Sequence, residues 1–149
     1  MSYNLLSLNT NNFTASLVSD GSPLNISAGS DWLDFGNTTP VVTITNNDVD
    51  FYLTYTFDNS EGKQYLNKLL IDFSGGARAS DYLIQVSENN IDYTTTNTIS
   101  GNNSDADLEY IIPQTNPNPT KYASFRFKFT SFQYGTWLKL NHLNAYVVD

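Results

Sequence analysis

The ten residues from Lys121 to Thr130 read Lys-Tyr-Ala-Ser-Phe-Arg-Phe-Lys-Phe-Thr. In an extended chain Ala123, Phe125, Phe127 and Phe129 share one face, and Ser124, Arg126, Lys128 and Thr130 share the other. A period of 3.6 would scatter the phenylalanines around a helix axis, so a helix is excluded. Each phenylalanine buries roughly 150–250 Å², and three on one face require a second layer to cover them. The stretch therefore predicts a strand in one sheet of a β-sandwich, with its phenylalanines facing the other sheet.

The rest of the chain fits that frame. Alternation and β-branched runs predict further strands over 4–8, 13–18, 41–45, 51–57, 66–73, 82–87, 91–96, 108–112 and 137–148. The apolar middle of 66–73 marks a central strand. Asn89-Asn90 suits a tight connection, because asparagine tolerates the left-handed region. The alternation of the last strand changes phase near Asn141-His142, which predicts a bulge. Ser19-Asp20-Gly21-Ser22-Pro23 is a turn cluster, 24–40 is irregular, and 97–107 and 113–119 read as loops. Ser74-Gly75-Gly76-Ala77-Arg78 reads as a flexible loop, and Phe132-Gln133-Tyr134-Gly135 as a tight aromatic one. No helix longer than a turn or two is expected. The expectation is an all-β, two-sheet antiparallel sandwich of jelly-roll type, formed by residues 1–149 as one domain.

Charge and composition exclude several functions. The chain has no cysteine and a single histidine, His142, so thiolate and multi-histidine metal centres are ruled out within one chain. Its formal net charge of -8 and seven dispersed basic residues give no nucleic-acid footprint. No apolar run approaches the roughly 20 residues that span a membrane. Met-Ser-Tyr-Asn-Leu-Leu at the start lacks a basic region followed by a long apolar core, so no signal peptide is expected. Asp105, Asp107 and Glu109 cluster, as do Asp31 and Asp34, yet acidic loops on an acidic protein are ordinarily solvated. No Gly-x-Ser-x-Gly elbow is present. The expectation is that the chain is not an enzyme. The Asn-x-Ser/Thr sequons at Asn12, Asn25, Asn37 and Asn102 are what chance gives in a chain this rich in Asn, Ser and Thr.

Four segments together resemble the discoidin domains, the C-terminal domain type of coagulation factors, and related galactose-binding-like carbohydrate-binding modules. Asp20-Gly21 followed by Asp31-Trp32 resembles that family's Asp-Gly and Thr-x-Trp segment. The stretch from Tyr82 to Tyr93 resembles its strand, Ser-x-Asp-Gly turn and Trp, with Asn89-Asn90 in place of Asp-Gly and Tyr93 in place of Trp. Tyr122 to Phe129 resembles its Ala-Arg-Tyr-Val-Arg strand, and Leu138 to Val147 its closing strand. The resemblance implies binding without catalysis, through loops at one end of the sandwich. Arg78 stands where sugar-binding relatives often carry an arginine. Gln133 and Tyr134 lie in the last loop, where such relatives often place an aromatic. Asp34, Phe35 and Trp137 complete the expected ligand-binding set. The plain alternatives are a solvated loop cation for Arg78, a packing residue for Trp137, and a core residue for Trp32. The family's structural calcium would involve Asp20. Its usual Glu partner is replaced by His142.

Two functions from different classes follow. One is a module that recognises neutral glycans on a cell surface. The other is a structural protein of an assembly, such as a capsid decoration or tail component of a virus or phage, whose sandwich makes protein–protein contacts, including those of a homo-oligomer. An Asn/Thr/Ser-rich sandwich without cysteine or secretion signal suits a virion or an extracellular surface. A concave aromatic-plus-arginine site would favour the first function. A large exposed apolar patch would favour the second.

Overall fold

The computed structural model describes residues 4–6, 8, 12–17, 41–43, 51–57, 62–73, 75–115, 117–133 and 137–148. Among them are ten strands and no α-helix: β1 Asn4–Leu6, β2 Phe13–Leu17, β3 Val41–Thr43, β4 Phe51–Thr56, β5 Tyr65–Phe73, β6 Ala79–Ser87, β7 Thr94–Ile99, β8 Leu108–Ile111, β9 Ser124–Phe132 and β10 Trp137–Val148. They form two antiparallel sheets. One has the order β2-β4-β9-β6-β7. The other runs β1-β10-β5-β8, with β3 paired to the start of β10 through Trp137↔Thr43 and Lys139↔Val41.

The inward phenylalanines of β9 are realised, Phe125, Phe127 and Phe129 being completely buried, but Ser124, expected on the wet face, is completely buried too, and Ala123, expected to share the phenylalanine face, lies before the strand and is half-buried. The rings of Phe127 and Phe129 stack with centroids 5.6 Å apart and an interplanar angle of 7°. Tyr82 of β6 packs against both, and Phe73 reaches across from the opposite sheet to Phe129 at 6.4 Å and Tyr82 at 6.0 Å. The facing wall is built by Leu69, Ile71 and Phe73 of β5 and by Leu138, Leu140, Leu143, Ala145 and Val147 of β10. As the apolar middle of β5 predicts, that strand is central, flanked by β10 and β8. The inward positions of β10 change phase between Leu140 and Leu143, where its register against β5 slips between Leu140 and His142. This is the bulge legible at Asn141-His142.

On the outer face of β9 the polar residues find partners of their own. The Arg126 guanidinium lies between the rings of Tyr52 and Tyr93, 4.0 and 3.7 Å from their centroids, and its Nε donates to Gln85 Oε1 at 2.7 Å. Tyr93 pairs its hydroxyl with that of the buried Ser124 at 2.8 Å.

Three differences from the sequence reading have a visible cause. β7 covers 94–99 in place of 91–96, because Asn89 Oδ1 accepts the Ile91 and Asp92 amides and holds 89–92 in a turn, leaving Ile91 80% exposed. Asn90 takes the left-handed conformation expected there, at φ 63°. β6 begins at Ala79, three residues early, because Ala79 pairs with Phe132. For the same reason Phe132 ends β9 and does not belong to the loop after it.

Registers fix which connections share an end. Leu17 pairs with Phe51 and Phe51 with Phe129, Ile71 pairs with Leu108, and Tyr82 with Ile99. The links β5–β6, β7–β8 and β9–β10 therefore lie together at one end of the sandwich. The links β4–β5, β6–β7 and β8–β9 lie at the other, where Asn4 pairs with Val147 and Tyr65 with Val148.

Candidate functional site

The β5–β6 link is short, and Gly75 and Gly76 both adopt positive φ, 64° and 75°. Two successive left-handed residues turn the chain back on itself, which a side chain at either position would oppose. The turn aims its groups at Asp105 of the β7–β8 link. Asp105 Oδ2 accepts the Gly76 amide at 2.8 Å, and its Oδ1 accepts Arg78 Nη1 at 3.0 Å. Its carbonyl accepts the Phe73 amide at 2.6 Å. The loop read as flexible is thus pinned by a residue 27 positions from Arg78. Arg78 is neither a solvated cation nor a free one: its side chain is 17% exposed and ion-paired, and its Nε–H is buried without a partner among the described residues.

The β7–β8 link is itself built against β6. Asn102 Nδ2 donates to the carbonyls of Ala79 and Ser104, the Asn102 amide donates to the Ser80 carbonyl, and the Gly101 amide donates to Asp81 Oδ1. Asn102, read in the sequence as a chance sequon, uses its amide for this scaffold. The Gln133 amide donates to the Arg78 carbonyl at 2.9 Å. So Arg78 and Gln133, 55 positions apart by their numbers, are neighbours, and Gln133 is exposed. Trp137 opens β10 opposite Thr43. Asp20, Trp32, Asp34, Phe35 and Tyr134 lie outside the described residues, as does the side chain of Trp137.

For metal, no three His, Cys, Asp or Glu residues group together among the described residues. The carboxylate of Asp105 is committed to a guanidinium and a backbone amide, so it acts as a clamp.

The opposite end carries two clefts that the sequence did not disclose. They have volumes of about 270 and 210 Å³ and share Glu88 and Asn89. The first is lined by Phe57, Lys63 and Asn90, the second by Asp92, Thr94 and Tyr122. Tyr122, expected in the core or at an edge, is half-buried and bridges to Gln64. Burial pushes its phenol above the ordinary range, and the negative charge of Glu88 adds to the shift. Asn89 is saturated by Ser87, Ile91 and Asp92, which makes it a turn former.

No protein-family profile matches the sequence, and no curated protein matches it. Solved structures do share its fold. Chitosan-binding module 1 of a chitosanase/glucanase from Paenibacillus sp. IK-5 superposes with a TM-score of 0.66 at 17% identity, over 96% of this chain and 98% of the module. The CpGH89CBM32-5 module of Clostridium perfringens, in complex with GalNAc-beta-1,3-galactose, gives 0.56 at 15% identity over 97% and 99%. An F5/8 type C domain from Bacteroides fragilis gives 0.58 at 12% identity over 97% and 95%. The chain has the β-sandwich fold of the discoidin domains and of these carbohydrate-binding modules.

Proposed function

We propose that this protein is a non-catalytic module that recognises neutral glycans through the end of the sandwich formed by the β5–β6, β7–β8 and β9–β10 links. The observation that carries the reading is the juxtaposition of Arg78 and Gln133 by a backbone hydrogen bond. An arginine held in place beside an exposed glutamine offers directed donors and an acceptor for sugar hydroxyls. Tyr134, next in sequence to Gln133, supplies the ring for the apolar face of a pyranose, and Trp137, Asp34 and Phe35 complete the set. The glycan-binding modules that share the fold support this reading. So does the net charge of -8, which slows encounter with strongly anionic ligands.

A single shallow site of this kind binds weakly, with Kd about 0.1–1 mM, or roughly 4–5 kcal/mol. Attachment then needs many copies, with avidity supplying the rest. Display on a particle surface, such as a virion attaching to a host cell, meets that need.

The test is a multivalent display of the protein on arrays of neutral glycans and on cells, beside the Arg78→Ala, Tyr134→Ala double variant. The expected result is binding by the wild type and a loss of at least about tenfold in the double variant, the worth of one or two directed hydrogen bonds. Absence of wild-type binding, or equal binding by the variant, rejects this site and leaves the protein–protein assembly role in its place.

A further inference from the structure

Resting on the glycan-binding reading of the Arg78 end, we infer that Asp105 is the specificity-determining residue of that site. It orients the Arg78 guanidinium and offsets its charge, so that the remaining donors select uncharged hydroxyls over carboxylates.

An arginine guanidinium has five N–H donors in a rigid fork, and an unopposed one prefers the matching fork of a carboxylate or phosphate. Here Asp105 Oδ1 already accepts from Nη1 at 3.0 Å. The same carboxylate is anchored through Oδ2 on the Gly76 amide at 2.8 Å, and the Asp105 backbone is fixed through its carbonyl on the Phe73 amide at 2.6 Å. Two hydrogen bonds on the carboxylate and one on the backbone oppose its swinging away when a ligand arrives. The Arg78 backbone is fixed as well, by the Gln133 amide on its carbonyl. The guanidinium is therefore set in direction at both ends of its side chain.

The electrostatic consequence follows from the same geometry. The pair is partly buried, at 17% and 29% side-chain exposure, so solvent screens it less than a surface pair. A ligand carboxylate approaching the open donors of Arg78 meets the Asp105 carboxylate on the same guanidinium, and the two negative charges repel. A sugar hydroxyl meets no such opposition. It accepts from the guanidinium and can donate its own proton to the exposed side chain of Gln133, whose backbone is bonded to that of Arg78.

The experiment compares a galactose-terminated disaccharide with its galacturonic-acid-terminated counterpart, each immobilised on polymer. These probes differ only in the oxidation of one carbon. They are tested with multivalent wild-type protein and with Asp105→Asn, whose amide oxygen still accepts a backbone N–H but whose charge is gone. Wild type is expected to favour the neutral probe. Asp105→Asn is expected to shift the neutral-to-acidic ratio by about tenfold toward the acid, the order expected for one like-charge contact near a surface. An unchanged ratio in Asp105→Asn, or a wild type that binds the acidic probe as well as the neutral one, overturns the inference.

A readout without ligand separates its failure from that of the parent reading. In the folded wild-type protein the Arg78 Nε–H resonance is expected to be sharp and slow to exchange, and to broaden or move in Asp105→Asn while the core amides stay in place. A broad, solvent-averaged Arg78 signal in the wild type refutes the clamp, whatever the arrays show. If the wild type binds neither probe while the clamp is intact by this measure, the glycan reading has failed, and the specificity role fails with it.

Discussion

The interface between the sheets and the Arg78 end of the sandwich are built by opposite means. In β9 the contacts come from residues two apart in sequence, Phe125, Phe127 and Phe129, with every second side chain driven inward by the same apolar chemistry. At the Arg78 end the contacts come from residues far apart: Gly76 and Arg78 meet Asp105, Arg78 meets Gln133, and Asn102 meets Ala79. The first region is nondirectional and redundant, so it supports stability. The second is directional and sparse, so each bond matters to geometry and little to the total free energy. Stability and the proposed recognition thus fall in different parts of the chain and should respond to different substitutions.

The largest expected effect lies in the interface. Phe127→Ala removes a fully buried ring that packs against Phe125, Phe129 and Tyr82. It should cost about 3–5 kcal/mol, read from chemical denaturation. A cost below about 1 kcal/mol, within the range of surface substitutions, would mean that the region is not the main source of stability.

Alkali probes the same layer at intermediate strength. Tyr82 is 1% exposed and shares a hydroxyl–hydroxyl hydrogen bond with Tyr110. Burial, and then the bond to Tyr110, push the Tyr82 phenol far above its ordinary value of 10.0, and burial raises Tyr110 as well. The folded state therefore favours the neutral phenol. This stabilisation is complete below pH 10, where both states are protonated. It falls as pH rises further, because the unfolded chain ionises first. The loss is about 1.4 kcal/mol per pH unit for each phenol that stays protonated in the fold. Stability measured between pH 9 and 12 should show this slope, and Tyr82→Phe should reduce it. An unchanged slope in the variant would assign the alkaline loss to other groups.

The smallest effect on stability should come from the other region. Arg78→Ala breaks a partly buried ion pair, worth more than a surface pair and less than a core one, and is expected to cost about 1–2 kcal/mol, a shift of only a few degrees in Tm for a chain of this size. The same substitution should abolish most glycan binding. If Arg78→Ala destabilises as much as Phe127→Ala, the division between the two regions is false.

Much of the fold was open to reading because it rests on local periodicity. The interior phenylalanines of β9, the central position of β5, the left-handed Asn90 and the bulge in β10 all leave a mark within a few residues of themselves. The errors sit where a specific side-chain or cross-strand contact overrides the apolar pattern. Ile91 is apolar and β-branched, yet the Asn89 side chain captures the turn and leaves it in solvent. Ala79 has little strand preference of its own and joins β6 because Phe132 lies beside it. Tyr93 reads as a strand aromatic, yet its position is decided by Arg126 and Ser124.

For the candidate site, the sequence by itself supplied the inventory: an arginine after two glycines, a glutamine in the last loop, and an acidic cluster at 105–109. It marked the inward face of the long strands too, since alternate side chains of an extended chain point the same way. Who meets whom across the links is set by the folded arrangement alone. That Asp105 clamps Arg78, and that Gln133 stands beside it, depends on which links the strand registers bring to one end. Register is settled by packing of the whole sandwich, and a pair 27 residues apart, with no periodicity joining its members, leaves no trace in the sequence.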